Sequence, residues 1–300
     1  MSHPIGRAAV VLASAVAGGS ARLAYAALRA RPPGGTGLWA RTNHRGETLT
    51  LLEGPAYLTG AAVAVALVPG LPAASRGAGL IALAGAGGFG AIDDLRESGS
   101  RKGLRGHLGE LAHGRITTGG LKVLGIGVTG LLAAALSQPS QRAPAKVLLP
   151  GAVIAAAANL INLLDLRPGR ALKMVLLTGG PLALGTRSSS PSVLGGTAVP
   201  RGTAVLGGTA VLAGIAAGAA AGLLPEDLAE HAMLGDTGAN AAGALLGLAA
   251  VQRLGPAGQA VLLTVLAGLT LISERVSFTT VIESTPGLRE LDALGRRPRP

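Results

Sequence analysis

The sequence contains no cysteine, and only 2% of its 300 residues are aromatic. Disulfide bonds and thiolate metal sites are therefore excluded. Charged residues are also scarce: they make up 14% of the chain, whereas soluble domains carry about 25%. Hydrophobic residues account for 49%. This balance predicts an all-α polytopic membrane protein.

Glycine, in contrast, is abundant, with 48 residues. Small residues at this density allow helices to pack closely in lipid. One G-x-G-x-x-G run, 85–90, lies inside an apolar stretch, so we expect it to serve helix packing rather than to bind a dinucleotide. The net charge of +11 would indicate a nucleic-acid partner in a soluble protein. Here the arginines flank apolar stretches, as the positive-inside rule requires, so no nucleic-acid partner is expected.

Nine apolar stretches have, or approach, the length of about 20 residues that a membrane span needs. The third, sixth and eighth are short, and we expect each to extend into the polar motif beside it. Nine spans place the two termini on opposite sides of the membrane. The stretches are 5–28, 49–68, 78–92, 118–137, 147–164, 171–186, 203–224, 239–253 and 257–273.

The distribution of charge indicates the orientation. With the N-terminus outside, 18 Lys and Arg residues fall on the inner side and seven on the outer side. This bias predicts an outer N-terminus and a cytoplasmic C-terminus. All fifteen Asp and Glu residues also fall on the inner side or in the inner half of a span. The cytoplasmic face is therefore expected to carry the chemistry.

The spans divide the chain into an integral membrane domain, 1–273, and a basic cytoplasmic tail, 274–300. The last residues of the tail are predicted to be disordered. A Ser- and Gly-rich outer segment, 186–202, is predicted to be a flexible loop. We expect a multi-pass protein of a bacterial inner or plasma membrane, with a homodimer as a candidate assembly.

Asp93 and Asp94 end the third apolar stretch and form the first of three polar motifs. Adjacent helical residues point about 100° apart, so the two carboxylates could serve different partners. One could face a metal ion and the other an attacking oxygen. The alternative is a solvated helix end.

The second motif places Asn159, Asn162 and Asp165 on one helical face, because they recur at every third residue. Two amides and a carboxylate could bind a nucleotide base or ribose, whereas hydrogen bonding between helices is the alternative. Arg170 follows closely, and its guanidinium could clamp a phosphate. Its place beside a span would equally explain it.

The third motif joins Asp236 to Asn240, which lie four residues apart on one helical face. The run 235–238 predicts a helix N-terminus with Asp236 or Thr237 as the cap. Free backbone amides there would favour a bound phosphate. A plain N-cap is the alternative.

Together the three motifs resemble the polyprenyl-phosphate N-acetylhexosamine-1-phosphate transferase family, which includes the phospho-N-acetylmuramoyl-pentapeptide translocase. Its members carry a DD pair after the third span, NxxNxxDG after the fifth and GDxGS after the seventh. Asp93-Asp94, the segment 159–165 and the segment 235–240 are similar in order and placement. Lys122 resembles the lysine with which the family begins its fourth span.

The resemblance implies a Mg²⁺-dependent enzyme of cell-envelope glycan synthesis. It would move a sugar 1-phosphate from a UDP-sugar to a membrane polyprenyl phosphate and release UMP. The catalytic residues implied are Asp93, Asp94 and Asp236, of which Asp93 and Asp236 would bind the metal. The substrate-binding residues implied are Asn162 and Asp165 on the nucleotide side, Lys122 and Arg170 at phosphates, and Asn159 and Asn240.

The chain departs from the family pattern in several places. Leu166 stands where the family has glycine, and Ala239 replaces the serine of GDxGS. The tail lacks the family's histidine-rich segment, and a tenth span is missing. These departures keep open a catalytically inactive paralogue that binds lipid phosphate or nucleotide in a regulatory role. A transporter is less favoured, because the acids lie at one membrane face rather than at the midplane.

Overall fold

The computed structural model describes residues 4–43, 45–96, 118–137, 144–185 and 201–297. Of the loop predicted at 186–202, residues 186–200 lie outside this set. The described part is almost entirely helical, as expected, with one short two-stranded hairpin. The elements are α1 Pro4–Ala30, α2 Thr36–Trp39, β1 Ala40–Thr42, β2 Thr48–Thr50, α3 Glu53–Leu67, α4 Ala73–Arg96, α5 Thr118–Ser137, α6 Pro144–Leu164, α7 Arg170–Leu184, α8 Arg201–Leu228, α9 Gly235–Arg253, α10 Pro256–Ser273, α11 Phe278–Ser284 and α12 Leu288–Ala293.

Within the described residues, six helices are long and apolar enough to cross a membrane: α1, α4, α5, α6, α8 and α10. The chain is therefore a membrane protein. The third and eighth apolar stretches do extend into their polar motifs, as predicted. The sixth stretch does not gain length as predicted, because its helix α7 has only 15 residues. Helix α3, in the second stretch, also has 15 residues. Each of these two helices is about 22 Å long, which is less than the thickness of a hydrocarbon core.

Helix α9 lies at the centre of the bundle and contacts α3, α4, α6 and α8. Its Gly- and Ala-rich surface lets these neighbours approach closely, so nearly all of its residues are buried. A Cβ on Gly243 would overlap the backbone of Ala157 in α6. The position of α9 matters for function because its first turn carries the third polar motif.

Helices α1 and α8 pack through interlocking glycines. A Cβ on Gly218 would overlap the backbone of Ser14, and one on Gly222 would lie 2.6 Å from the Gly18 carbonyl oxygen. The Ser14 hydroxyl also donates to the Gly214 carbonyl at 2.9 Å. The abundance of glycine thus serves close helix packing, as the sequence indicated.

One end of the bundle, called here the acidic end, gathers Asp93, Asp165 and Asp236 at the termini of α4, α6 and α9. The β1–β2 hairpin covers part of it: Thr50 exchanges backbone hydrogen bonds with His231 and Met233, at 3.2 and 3.1 Å. The tail forms two short helices, α11 and α12, which the sequence reasoning did not foresee. These helices return to the acidic end rather than extending away from it.

Candidate active site

Asp93, Lys122 and Asp236 meet at the acidic end, although they come from three different helices. The Lys122 ammonium lies 2.7 Å from Asp93 Oδ2 and is also ion-paired with Asp236 Oδ2. The exposed fractions of the three side chains are 18%, 18% and 24%. A solute can therefore reach this cluster from outside the bundle.

Local sequence explains why α4 and α9 meet here. Gly90 lies one turn before Asp93, and a Cβ on Gly90 would overlap the Asp236 backbone. The glycine therefore lets the end of α4 lie directly against the first turn of α9. Phe89 fills the space beside Gly125 of α5 in a similar way, which brings the start of α5 to the same place.

Asp94 serves a different partner from Asp93, as their helical spacing predicted. Its Oδ1 accepts the Asp236 amide at 3.0 Å, and its Oδ2 accepts the Thr237 amide at 2.8 Å and the Thr237 hydroxyl at 2.6 Å. A carboxylate at a helix N-terminus satisfies free amides and favours the helix dipole. Asp94 thus caps α9 from another helix.

This cap corrects one prediction. Neither Asp236 nor Thr237 caps α9, and the amides of these two residues are occupied by Asp94 rather than free for a phosphate. Gly235 precedes them with φ of +59°, and a Cβ there would lie 3.0 Å from both Asp94 oxygens. Only glycine therefore suits both the backbone conformation and the space.

Arg41 of β1 is a contributor that the sequence reasoning missed. Its guanidinium donates to the backbone carbonyl of Asp94 and, at 2.7 Å, to that of Ala40. These bonds tie the hairpin to the last turn of α4. In the sequence Arg41 looked like one of many inner-loop cations, so nothing distinguished it.

Three further acids are buried behind the cluster. Asp165 is only 6% exposed, and burial, together with the charges of Asp227, Asp94 and Asp236, raises its pKa. Asp227 accepts the Gly169 amide at 3.0 Å. Glu53 is fully buried, and neither of its carboxylate oxygens is hydrogen-bonded within the described part of the chain. These three carboxylates are therefore shielded from solvent, unlike the carboxylates of the cluster in front of them.

Two of the predicted substrate-binding residues make contacts elsewhere. Asn159 donates to Thr270 Oγ1 of α10 at 3.1 Å, which is the hydrogen bond between helices weighed as its alternative role. Arg170 is buried and forms a two-point ion pair with Asp292 of α12, at 2.9 and 3.1 Å. It also donates to Thr279 at 3.0 Å. The tail, not the cluster, therefore receives this guanidinium.

The remaining two predicted substrate-binding residues, Asn162 and Asn240, belong to the second and third polar motifs. Asn240 is buried, and its amide nitrogen donates to the Asp236 backbone carbonyl at 2.7 Å, one turn earlier in α9. Asn162 is half-buried, and its backbone carbonyl accepts the Asp165 amide at 3.1 Å. Asn240 thus supports the first turn of α9, and Asn162 shapes the turn that holds Asp165.

The donor set can be tested against a magnesium ion. Among the described residues, no three His, Cys, Asp or Glu side chains converge as a metal-binding group. Two carboxylates do converge on one cation, the Lys122 ammonium. Mg²⁺ is usually held by one or two carboxylates together with substrate phosphates. Asp93 and Asp236 provide that set of hard oxygen donors, and with one lysine they keep a net negative charge.

No protein-family model matches this chain, and no curated protein matches it. The fold and the cluster therefore define the class on their own. The chain is an all-α membrane protein with a solvent-accessible carboxylate–lysine cluster at one end of its helix bundle.

Proposed function

We propose that this protein transfers a sugar 1-phosphate from a UDP-sugar to a membrane polyprenyl phosphate in cell-envelope glycan synthesis. The observation that carries the proposal is the meeting of Asp93, Lys122 and Asp236, which come from separate motifs. These motifs are the ones that resemble the polyprenyl-phosphate N-acetylhexosamine-1-phosphate transferases. The chain would be a divergent member of that family.

The proposed topology has nine crossing helices, an outer N-terminus and a cytoplasmic acidic end. It rests on the excess of Lys and Arg in the loops that nine spans with an outer N-terminus would place on the inner side. Three of the nine helices, α3, α7 and α9, are not both long and apolar enough to count as spans on their own. Because α9 is buried on all sides by other helices, it does not need a long lipid-facing surface. The membrane would be a bacterial inner or plasma membrane.

In the proposed reaction, an oxygen of the lipid phosphate attacks the sugar-bearing phosphorus of the UDP-sugar. The bond from that phosphorus to the bridging oxygen breaks, and UMP leaves with the bridging oxygen. Asp93 and Asp236 would hold Mg²⁺, which supplies neutralisation of the diphosphate charge when bound. Lys122 would pair with a phosphate oxygen and stabilise the charge that develops during transfer.

The supporting residues take more limited roles in this proposal. Asp94 is a positioning residue, because its bonds to α9 fix the backbone that carries Asp236. Asp165 keeps one oxygen without a hydrogen bond in the described part of the chain, so it could accept a donor from the nucleotide side. Asn162 lies beside it. Arg170 is less suited to bind substrate, since Asp292 occupies it.

The test is UMP release by the full chain in proteoliposomes that contain polyprenyl phosphate. We expect release with a UDP-N-acetylhexosamine and Mg²⁺ and none with a chelator. The variant Asp236→Asn should lower the rate by about 10²–10³-fold, which is typical for loss of one electrostatic group. Glu283→Gln, on α11, should leave the rate unchanged. A folded protein that releases no UMP from any common UDP-N-acetylhexosamine would overturn the proposal.

The alternative is a catalytically inactive paralogue that binds lipid phosphate or nucleotide. The observation that favours it is that both acids of the cluster are already neutralised in part by Lys122, and Arg170 by the tail. It predicts that a UDP-sugar binds and that no UMP is released. It also predicts that Asp236→Asn leaves any cellular phenotype intact.

A further inference from the structure

A groove of about 460 Å³ lies at the acidic end, away from the carboxylate–lysine cluster. It forms where the last turns of α8 meet the end of the tail. One wall is apolar and comes from α8 and the residue after it, and the other comes from the tail after α12. The lining includes Ala221, Leu224 and Leu228 on the apolar wall and Gly295, Arg296 and Arg297 on the tail wall.

The apolar wall belongs to a helix of membrane-spanning length. Gly208–Leu228 is long and apolar enough to cross a bilayer, and the groove lies along its last two turns. Gly295 lets the tail lie against this wall: its φ is +75°, and a Cβ there would be 3.0 Å from Leu228 Cδ1. The tail backbone is thus fitted to the end of α8.

The tail wall and its neighbours carry more positive than negative charge, because four cations meet there and only two acids among the described residues face them. The cations are Arg167, Arg170, Lys173 and Arg296, and the acids are Asp292 and Asp227. Arg296 donates to the Pro168 carbonyl and to Asp292 Oδ1, both at 2.7 Å. Asp292 is the same carboxylate that holds Arg170. One acid therefore serves two guanidinium groups, while Lys173 donates only to backbone carbonyls of Leu291 and Asp292 among the described residues.

Arg297 stands at the rim of the groove and is 44% exposed. It pairs with Glu47 of the hairpin through two contacts, at 2.7 and 3.2 Å. This pair is exposed to solvent, and exposed ion pairs contribute little and exchange readily. Arg297 can therefore turn toward another anion without a large cost.

We propose that this groove binds an anionic membrane phospholipid, with its phosphate at Arg296 and Arg297 and its first acyl methylenes along Leu224 and Leu228. Basic pockets beside membrane helices bind anionic headgroups in this manner. A free phosphate would leave the apolar wall unused, and a zwitterionic lipid would not balance the excess positive charge. This proposal does not depend on the reaction proposed for the carboxylate–lysine cluster.

The test measures lipid binding to the delipidated full chain by native mass spectrometry. We expect phosphatidylglycerol to bind more tightly than phosphatidylcholine with the same acyl chains. The double variant Arg296→Gln/Arg297→Gln should weaken phosphatidylglycerol binding by about fivefold per arginine, the effect of one basic residue near an anionic surface. Arg289→Gln is the matched control, because Arg289 lies on the same tail, is exposed and pairs with the adjacent Glu290.

A second variant avoids the tail contacts of Arg296. Ala221→Trp should fill the groove from the exposed side of α8 and displace the lipid while the arginines remain in place. Equal phosphatidylglycerol binding by the wild type, the double arginine variant and Ala221→Trp would overturn the proposal. Competition by inorganic phosphate as strong as that by phosphatidylglycerol would also overturn it, because the apolar wall would then contribute nothing.

Discussion

The substitution Asp94→Asn separates two adjacent carboxylates that the sequence alone treats as a pair. Asp94 is buried and accepts three hydrogen bonds from the first turn of α9. Asparagine has nearly the same shape, but its NH₂ group would face donors, and it lacks the negative charge that a helix N-terminus favours. We therefore expect Asp94→Asn to loosen the contact between α4 and α9.

The size of the effect follows from the bonds that are lost. Loss of an N-cap costs about 1 kcal/mol, and a hydrogen bond to a charged group contributes about 1.5–3 kcal/mol. Asparagine can keep one acceptor, so the expected loss is about 3 kcal/mol. For a chain of this size, that corresponds to a fall in the thermal midpoint of roughly 6–12 °C.

Asp93→Asn is the matched control, one residue away. Lys122 would still pair with Asp236, and a partly exposed ion pair contributes at most about 1 kcal/mol. Thermal unfolding of both variants in the same detergent gives the comparison. The reasoning is refuted if Asp94→Asn unfolds within about 2 °C of the wild type, or if Asp93→Asn is equally destabilising.

Three other predictions test the packing, the buried acids and the tail. Gly218→Ala should lower the thermal midpoint because its Cβ would overlap Ser14. A Cβ on Gly19 would meet no atom of another described element within 4 Å, so Gly19→Ala should be neutral or stabilising by about 0.5–1 kcal/mol. Equal midpoints would contradict the close packing of α1 on α8. Glu53→Gln should not destabilise the fold at neutral pH, since the acid that it removes is buried and accepts no hydrogen bond from any described residue; a large drop in the midpoint would contradict this. For Asp292, partial burial acts to raise the pKa, but the hydrogen bond and charge of Arg170, with the charge of Arg296, lower it below the ordinary 3.8. A lowered pKa in the folded state stabilises tail docking above pH 3.8 and loses this contribution as pH falls through the folded value. Proteolysis of the tail should therefore accelerate only in acid, whereas Asp292→Asn should release the tail at pH 7. A tail as resistant to protease in that variant as in the wild type would contradict the role of the Arg170–Asp292 pair in docking the tail.

Hydropathy predicted the helices well because the energetic cost of exposing a backbone in lipid leaves few other solutions. Seven of the nine apolar stretches lie wholly within helices, and α5 has the predicted bounds, 118–137. The stretch 49–68 was placed wrongly at its start, because it begins in β2 and its helix α3 starts only at Glu53. The stretch 171–186 runs past α7, which ends at Leu184. The location of Asp93 and Asp236 at one end of the bundle was also expected from sequence, since motifs that end alternate predicted spans fall on the same side. Neither inference needed knowledge of side-chain packing.

The parts that could not be predicted depend on helix rotation and on long-range contacts. Which of Asp93 and Asp94 faces α9 is set by how Gly90 lets the two helices approach. The partner of Arg170 lies 122 residues away in a tail helix of six residues, too short to give a periodic signal. Asn159 could not be assigned either, because an amide in an apolar helix suits a ligand and a neighbouring helix equally well.

The proposed function requires the Asp93–Lys122–Asp236 cluster for phosphoryl transfer. The measurement that tests this most directly is UMP release in proteoliposomes by variants of the cluster. Wild type and Glu283→Gln should release UMP at the same rate when Mg²⁺, polyprenyl phosphate and a UDP-N-acetylhexosamine are all present. Asp93→Asn and Asp236→Asn, each shown to be folded by its thermal midpoint, should both lose most of that release. UMP release that persists in both folded variants would contradict the claim.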